Sequence, residues 1–199
     1  MLPLPPVTQA FLLSCVGAYC AQILVGPILV AWFGLWPLAS GYWMPWQLVS
    51  YAFLHGDFTH LLFNMLGLWM FGAEIERVWG PRRMVQFLAV SALSGGVAQM
   101  IVTALAGSLG PTVGASGALY GLLLAYALLF PTRTIMPLIP PIPMKARTYV
   151  MVFGGLEFIL GFTRGGSGGV AHFAHLGGML GAWLLIRYWR GQAPFGRRR

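Results

Sequence analysis

Ser116 stands in the run Gly114-Ala115-Ser116-Gly117-Ala118-Leu119-Tyr120-Gly121, and His175 in Ala174-His175-Leu176-Gly177-Gly178-Met179-Leu180-Gly181-Ala182. A serine hydroxyl is a weak nucleophile until a neighbouring base takes its proton, and histidine is suited to be that base. His60 and Asn64 are four residues apart, so on a helix they share one face. Both side chains can donate hydrogen bonds, and with the Ser116 backbone N–H they form a candidate oxyanion hole. The chemistry open to this set is nucleophilic acyl transfer. Ser116 would attack, His175 would carry the proton, and His60, Asn64 and Ser116 would hold the developing negative charge.

Each residue alone has a plainer explanation. Gly117 and Gly121 make a small-xxx-small pair, and a serine in such a run often does no more than bond backbone. The run is not the nucleophile elbow of α/β-hydrolases, because position 118 is Ala and no strand precedes it. A lone His175, or the pair His60 and Asn64, would serve as interior hydrogen-bonding groups. His172 and His175 could share a face toward a metal, but zinc asks for three or four clustered ligands, and the sequence offers no H-E-x-x-H. We therefore expect no metal and no cofactor. The chain has four acidic residues. Glu74 and Glu76 belong at the inner end of the second apolar segment, Asp57 in an outer connection, and Glu157 in the fifth segment at a depth the sequence does not fix. The simplest reading is a Ser–His dyad whose imidazole is oriented by an aromatic such as Tyr120, with assistance from Glu157 or Asp57 left open.

The elements that must position these groups are hydrophobic helices. The chain is 58% hydrophobic and 8% charged, against about 25% charged in soluble domains. Six apolar segments are predicted: about Val7–Phe33, His60–Ile75, Met84–Leu105, Ala115–Phe130, Tyr149–Phe162 and Ala171–Tyr188. The Pro-rich stretch Pro131–Pro143 and the Gly-rich stretch Gly165–Gly169 read as loops. We expect one domain over residues 1–199, with a core at about 7–190 and a basic tail at 189–199. Cys15 and Cys20 read as small core residues rather than a disulfide or zinc pair. No cleavable signal peptide is expected, because the start lacks a basic region and a cleavage motif.

Every Lys and Arg except Arg164 falls between segments two and three, between four and five, or at and beyond the end of six. With six spans these regions share one side, which predicts a multi-pass protein with both termini cytoplasmic. It also accounts for the net charge of +8 without nucleic acid. The even-numbered segments then run inward, so His60, Asn64, Ser116, His172 and His175 lie roughly 0 to 10 Å below the outer surface by helix rise. Polar groups inside a membrane are costly and mark function by default. Ala174, Gly178 and Ala182 form a smooth stripe that lets two helices approach closely, enough to bring His175 to Ser116. The first connection, Gly34–Thr59, carries Leu35, Trp36, Tyr42, Trp43 and Trp46, and is expected to lie amphipathically in the outer leaflet.

Together these residues resemble the rhomboid family of intramembrane serine proteases, in its bacterial-type six-helix form, over roughly Trp46–Arg190. The G-x-S-G motif reads Gly114-Ala115-Ser116-Gly117, and the His-x-x-x-Asn motif reads His60 and Asn64. The catalytic His with its trailing small residues resembles His175, Gly178 and Ala182. His55 and Trp46 resemble further family positions, and Glu76 the family's Glu near the inner end of the second helix. Two positions depart: Gln47 stands where an Arg is usual, and Ala182 where many members have Gly. The resemblance implies an all-α six-transmembrane-helix bundle with a membrane-embedded first loop. It implies a serine endopeptidase that cuts peptide bonds in or near transmembrane helices of single-span or other membrane-protein substrates, in a bacterial inner membrane, with the active site near the outer face. A non-catalytic, client-binding relative is the alternative. A small transporter would need repeated broken helices, and none is seen.

Overall fold

The computed structural model describes residues 3–138, 141–164 and 171–192. Helix α1, Pro6–Val25, begins with a proline in its first turn, where no N–H is needed. The single helix expected over Val7–Phe33 is broken. Gly26 adopts φ 81° and Pro27 follows, so α2 is a separate short helix, Ile28–Phe33. The first connection holds a short 3₁₀ turn at Leu38–Ser40, the helical turn α3 at Gln47–Ser50, and a 3₁₀ turn at Tyr51–Phe53. Helix α4, Phe58–Gly67, is capped by the Asp57 carboxylate, which accepts from His60 N at 2.8 Å. A π-helical stretch, Leu68–Gly72, carries it into α5, Ala73–Trp79. Helix α6, Pro81–Ala106, starts after Gly80 and stops at Gly107, a left-handed cap. Helix α7 spans Ser116–Leu129, α8 Ala146–Arg164, and α9 His172–Trp189.

Within the Pro-rich stretch, β1 (Thr134–Ile135) pairs antiparallel with β2 (Met144–Lys145). The expected loop at Gly165–Gly169 and Arg197–Arg199 of the tail lie outside the described residues. Cys15 is buried, but Cys20 is exposed on α1 and is not the core residue expected. Among the described residues, α1 and α6 are each long and apolar enough to cross a membrane, and α7 is a shorter apolar helix. Helices α8 and α9 are comparable in length, but Glu157, the two histidines and several glycines dilute their apolar character.

Helices α6, α7 and α9 form the centre of the bundle. Small residues set their spacing. A Cβ on Gly177 would lie 2.4 Å from Ala98 Cβ, and one on Gly181 would lie 2.0 Å from Ser94 Oγ. The basic residues whose side chains are described gather at one end. Arg77 donates to the Pro3 carbonyl, Arg83 lies over the Trp189 ring, and Arg133 pairs with Glu74. The residues just before α1 and the last turn of α9 therefore lie at this end. There the buried Glu76 carboxylate accepts from Val7 N, Thr8 N and Thr8 Oγ1 at 2.9, 2.7 and 2.7 Å. This satisfies N–H groups that the first turn of α1 cannot pair internally.

At the opposite end, Leu35 and Thr112 exchange backbone hydrogen bonds of 2.9 Å, joining the first connection to the loop before Ser116. Gln47 organises that connection. It is fully buried; its Oε1 accepts from Trp36 N and Met44 N, and its Nε2 donates to the Trp32 and Tyr42 carbonyls. A neutral amide thus satisfies donors and acceptors together. Gln47→Ala is expected to leave these backbone groups unpaired and to destabilise the fold by roughly 3 kcal/mol. A thermal unfolding midpoint in detergent within a degree of the parent would contradict this account.

Candidate active site

The site is built at the N-terminal ends of α4, α7 and α9. Tyr51 anchors the approach: its carbonyl accepts from Gly114 N at 2.9 Å, and its hydroxyl donates to the Ala92 carbonyl at 2.7 Å. Gly114 then turns the chain with φ 129°, and a Cβ there would lie 2.7 Å from the His60 ring. Both the positive φ and the close approach require glycine. The turn delivers Ser116 as the first residue of α7, where backbone N–H groups have no partner inside the helix.

His175, one turn into α9, reaches Ser116: Nε2 and Oγ are 2.7 Å apart. The approach depends on Gly178, where a Cβ would lie 2.0 Å from the Gly117 carbonyl oxygen. One turn after Ser116, Tyr120 stacks on the His175 ring, with centroids 4.2 Å apart and planes 6° apart. The aromatic expected to orient the imidazole is therefore in contact with it.

His60 packs against Gly114, and Asn64 is buried with its Nδ2 unpaired. A buried amide donor without an acceptor is costly, and it sits one helical turn from His60. Two cavities meet here. One, of about 500 Å³, is lined by polar groups including Asp57, His60, Gln99, Thr103, Ser116 and His175. The other, of about 510 Å³, is largely apolar, runs between α4, α7, β1 and α8, and includes Asn64, Leu119, Tyr149 and Phe153. His60 and Ser116 line both.

A carboxylate also reaches the site, which the sequence alone did not place. Glu157 of α8 accepts from the Tyr120 hydroxyl through Oε1 at 2.5 Å, and its Oε2 lies 2.6 Å from His172 Nδ1. The same Oε2 is 2.9 Å from His175 Nδ1. That last contact lies off the line of the ring N–H, so Nδ1 has no aligned hydrogen-bond partner. Glu157, His172 and His175 are all buried, and their ligand atoms lie within 4.8 Å of one another, a spacing that a metal ion could also use. Of the two acids left open by the sequence, Glu157 stands against the histidines, while Asp57 caps α4.

A profile of the rhomboid domain matches residues 42–191. This chain belongs to the rhomboid family. It is 28% identical over 185 residues to the protein named Rhomboid protease GlpG in Yersinia pestis (strain Pestoides F), which covers 92% of this chain and 62% of that protein. It is 29% identical over 186 residues to the Rhomboid protease GlpG of Serratia proteamaculans (strain 568), with the same coverage of each. The chain therefore spans less than two thirds of the length of these rhomboid relatives.

The other positions that carry the rhomboid resemblance fall into supporting places. His55 is fully buried, with neither ring nitrogen paired and its ring edge-on to His60 at 5.2 Å. Burial, with His60 beside it, pushes His55 down to about 4, so its ring is neutral at neutral pH. The His55 backbone exchanges hydrogen bonds of 3.0 Å with the Gln22 side chain, tying the connection to α1. Trp46 is exposed and donates from its indole to the Trp32 carbonyl. Ala182 is buried against Gly121, where its methyl fits.

Proposed function

We propose that this chain is an intramembrane serine endopeptidase that hydrolyses peptide bonds in or near transmembrane helices of membrane-protein substrates. The observation that carries the reading is the 2.7 Å contact between Ser116 Oγ and His175 Nε2, two residues that line the same cavity. In this reading His175 Nε2 takes the hydroxyl proton as Ser116 Oγ bonds to the scissile carbonyl carbon. The carbonyl oxygen gains the negative charge, which Asn64, His60 and the Ser116 N–H stabilise. His175 then gives its proton to the leaving amine, and the C–N bond breaks. Water attacks the acyl-enzyme with the proton steps run in the same order, releasing the acid and restoring Ser116.

The two cavities support a division of labour. Water reaches Ser116 through the polar one, and substrate enters along the apolar one between α4 and α8. A substrate helix must unwind there, because its carbonyls are otherwise bonded internally, so Gly, Pro or polar residues near the outer membrane face are favoured, with a small residue before the cut. Six spans would be made by α1, α4–α5, α6, α7, α8 and α9, with the basic end cytoplasmic, in a bacterial inner membrane, and the first connection in the outer leaflet.

The test is cleavage of a labelled single-span substrate by the purified chain in detergent, beside Ser116→Ala. Cleavage by the parent alone supports the reading. Binding of substrate without cleavage by the parent would favour the client-binding alternative. Asn64→Ala is expected to lower kcat about 100-fold with KM little changed, as for loss of one oxyanion donor; a change confined to KM would remove Asn64 from that role.

A further inference from the structure

We propose that Glu157 is a positioning residue for His175, so that Ser116, His175 and Glu157 act as a carboxylate-assisted triad. The proposal rests on the Ser–His reading above and deepens it.

Three potential donors converge on the Glu157 carboxylate: the Tyr120 hydroxyl at 2.5 Å, His172 Nδ1 at 2.6 Å and His175 Nδ1 at 2.9 Å. An ionised carboxylate only accepts, with room on each oxygen for more than one bond. The donor set therefore matches the ionised form, whereas a protonated Glu157 would compete with its neighbours for acceptors. With a proton on Nδ1, which lies 2.9 Å from Oε2, the Nε2 lone pair of His175 points at the Ser116 hydroxyl. That is the tautomer proton transfer needs. When Nε2 accepts the proton from Oγ, the resulting imidazolium lies beside a negative charge that stays ionised throughout.

Tyr120 serves both partners. It fixes the plane of the His175 ring by stacking and holds Glu157 through its hydroxyl. His172, three residues before His175 on the same helix, holds the other carboxylate oxygen. The carboxylate is thus braced from α7 and α9 while carried by α8. The His175 Nδ1 contact is close but off the line of the ring N–H, and catalytic hydrogen bonds commonly tighten when substrate binds. A purely packing role would not explain why a membrane-buried carboxylate stands against the histidine that reaches Ser116.

The experiment uses the full chain in detergent with Glu157→Gln and Glu157→Asp. Gln keeps the volume of Glu but presents an amide that can donate to Nδ1, which favours the wrong tautomer. Glu157→Gln is expected to lose about 10²- to 10⁴-fold in kcat with KM unchanged, and Glu157→Asp to recover part of it at an unchanged unfolding midpoint. Nitrogen-15 NMR of the histidines should show the Nδ1–H tautomer at His175 in the parent and its loss in Glu157→Gln. The tautomer is read without turnover, so an inactive parent would defeat the protease reading alone, while equal tautomer populations in parent and Glu157→Gln would defeat this one. Parental kcat in Glu157→Gln would overturn it. So would activity that is abolished by a chelator and restored by zinc, which would make Glu157, His172 and His175 a metal site instead.

Discussion

Ser116→Ala, His175→Ala and the double variant are expected to lose activity by the same factor, on the order of 10³- to 10⁶-fold in kcat. The equality matters more than the size. The Ser116 hydroxyl is nucleophilic only as its proton passes to His175 Nε2, 2.7 Å away, so once either group is gone the other has nothing to act on. Groups that work as a unit are grossly non-additive in this way. Two independent contributors would instead multiply their losses in the double variant. The measurement is kcat on a labelled single-span substrate for the parent and the three variants, with unfolding midpoints as a check on structure. Ser116 lines both cavities, so Ser116→Ala is expected to keep a midpoint close to the parent. His175 is buried against Tyr120, so His175→Ala is expected to lower the midpoint, and rates are compared below the lower one. A double variant much slower than either single one would separate Ser116 from His175. A fluorophosphonate probe adds a second readout: it should label the parent at Ser116, label His175→Ala far more slowly, and leave Ser116→Ala unlabelled.

How much of this arrangement was legible in the sequence differs from residue to residue. Helix starts fell close to the expected His60, Met84 and Ala115, and local chemistry sets where they lie: Asp57 caps α4 at Phe58, Pro81 opens α6, and Gly114 precedes α7 at Ser116. Each start also set how far along its helix His60, Ser116 or His175 lies, since helix rise is constant. The small-residue stripe predicted which helices meet, and Gly178 does lie on Gly117. Glu157 was not placed, because it lies in the interior of α8, where depth depends on a helix end marked only by the Gly-rich stretch. Its direction depends on how α8 is rotated against α7 and α9, which is a matter of packing and not of local sequence. One signal was available: a lone carboxylate within an apolar segment, with histidines opening the next, is a pair that membrane energetics favour bringing together. Gln47 was unreadable for a related reason. Its role comes from four backbone groups contributed by residues as far away as Trp32, which converge only after the connection folds. The break at Gly26-Pro27 carried a local signal, but the surrounding apolar run outweighed it. Continuous hydropathy says that a segment is lipid-compatible, not that it is one straight helix.

Among the described glycines, Gly178→Ala is expected to be the most damaging added methyl. The added Cβ would lie 2.0 Å from the Gly117 carbonyl oxygen, 2.7 Å from its carbon and 3.1 Å from its Cα. All three are backbone atoms of α7, so no side chain can rotate away, and α9 must move outward by roughly 1 Å to reach van der Waals contact. The strain of such overpacking destabilises by about 3 kcal/mol. The same shift carries His175 away from Ser116 and lengthens a contact that works only at hydrogen-bond distance. A misplacement of about 1 Å can lower the rate on the order of 100-fold, so activity is expected to fall even in the fraction that stays folded. Gly155→Ala is the control: no atom lies within 4 Å of its Cβ position on α8, and replacing helical glycine by alanine at an open site is expected to be neutral or stabilising by up to about 1 kcal/mol. The comparison is made at a temperature where both variants are folded, with kcat and unfolding midpoint measured on each. A Gly178→Ala protein with parental midpoint and rate would mean that α7 and α9 are not in backbone contact at this position, and the mechanism would then lack the approach that brings His175 to Ser116.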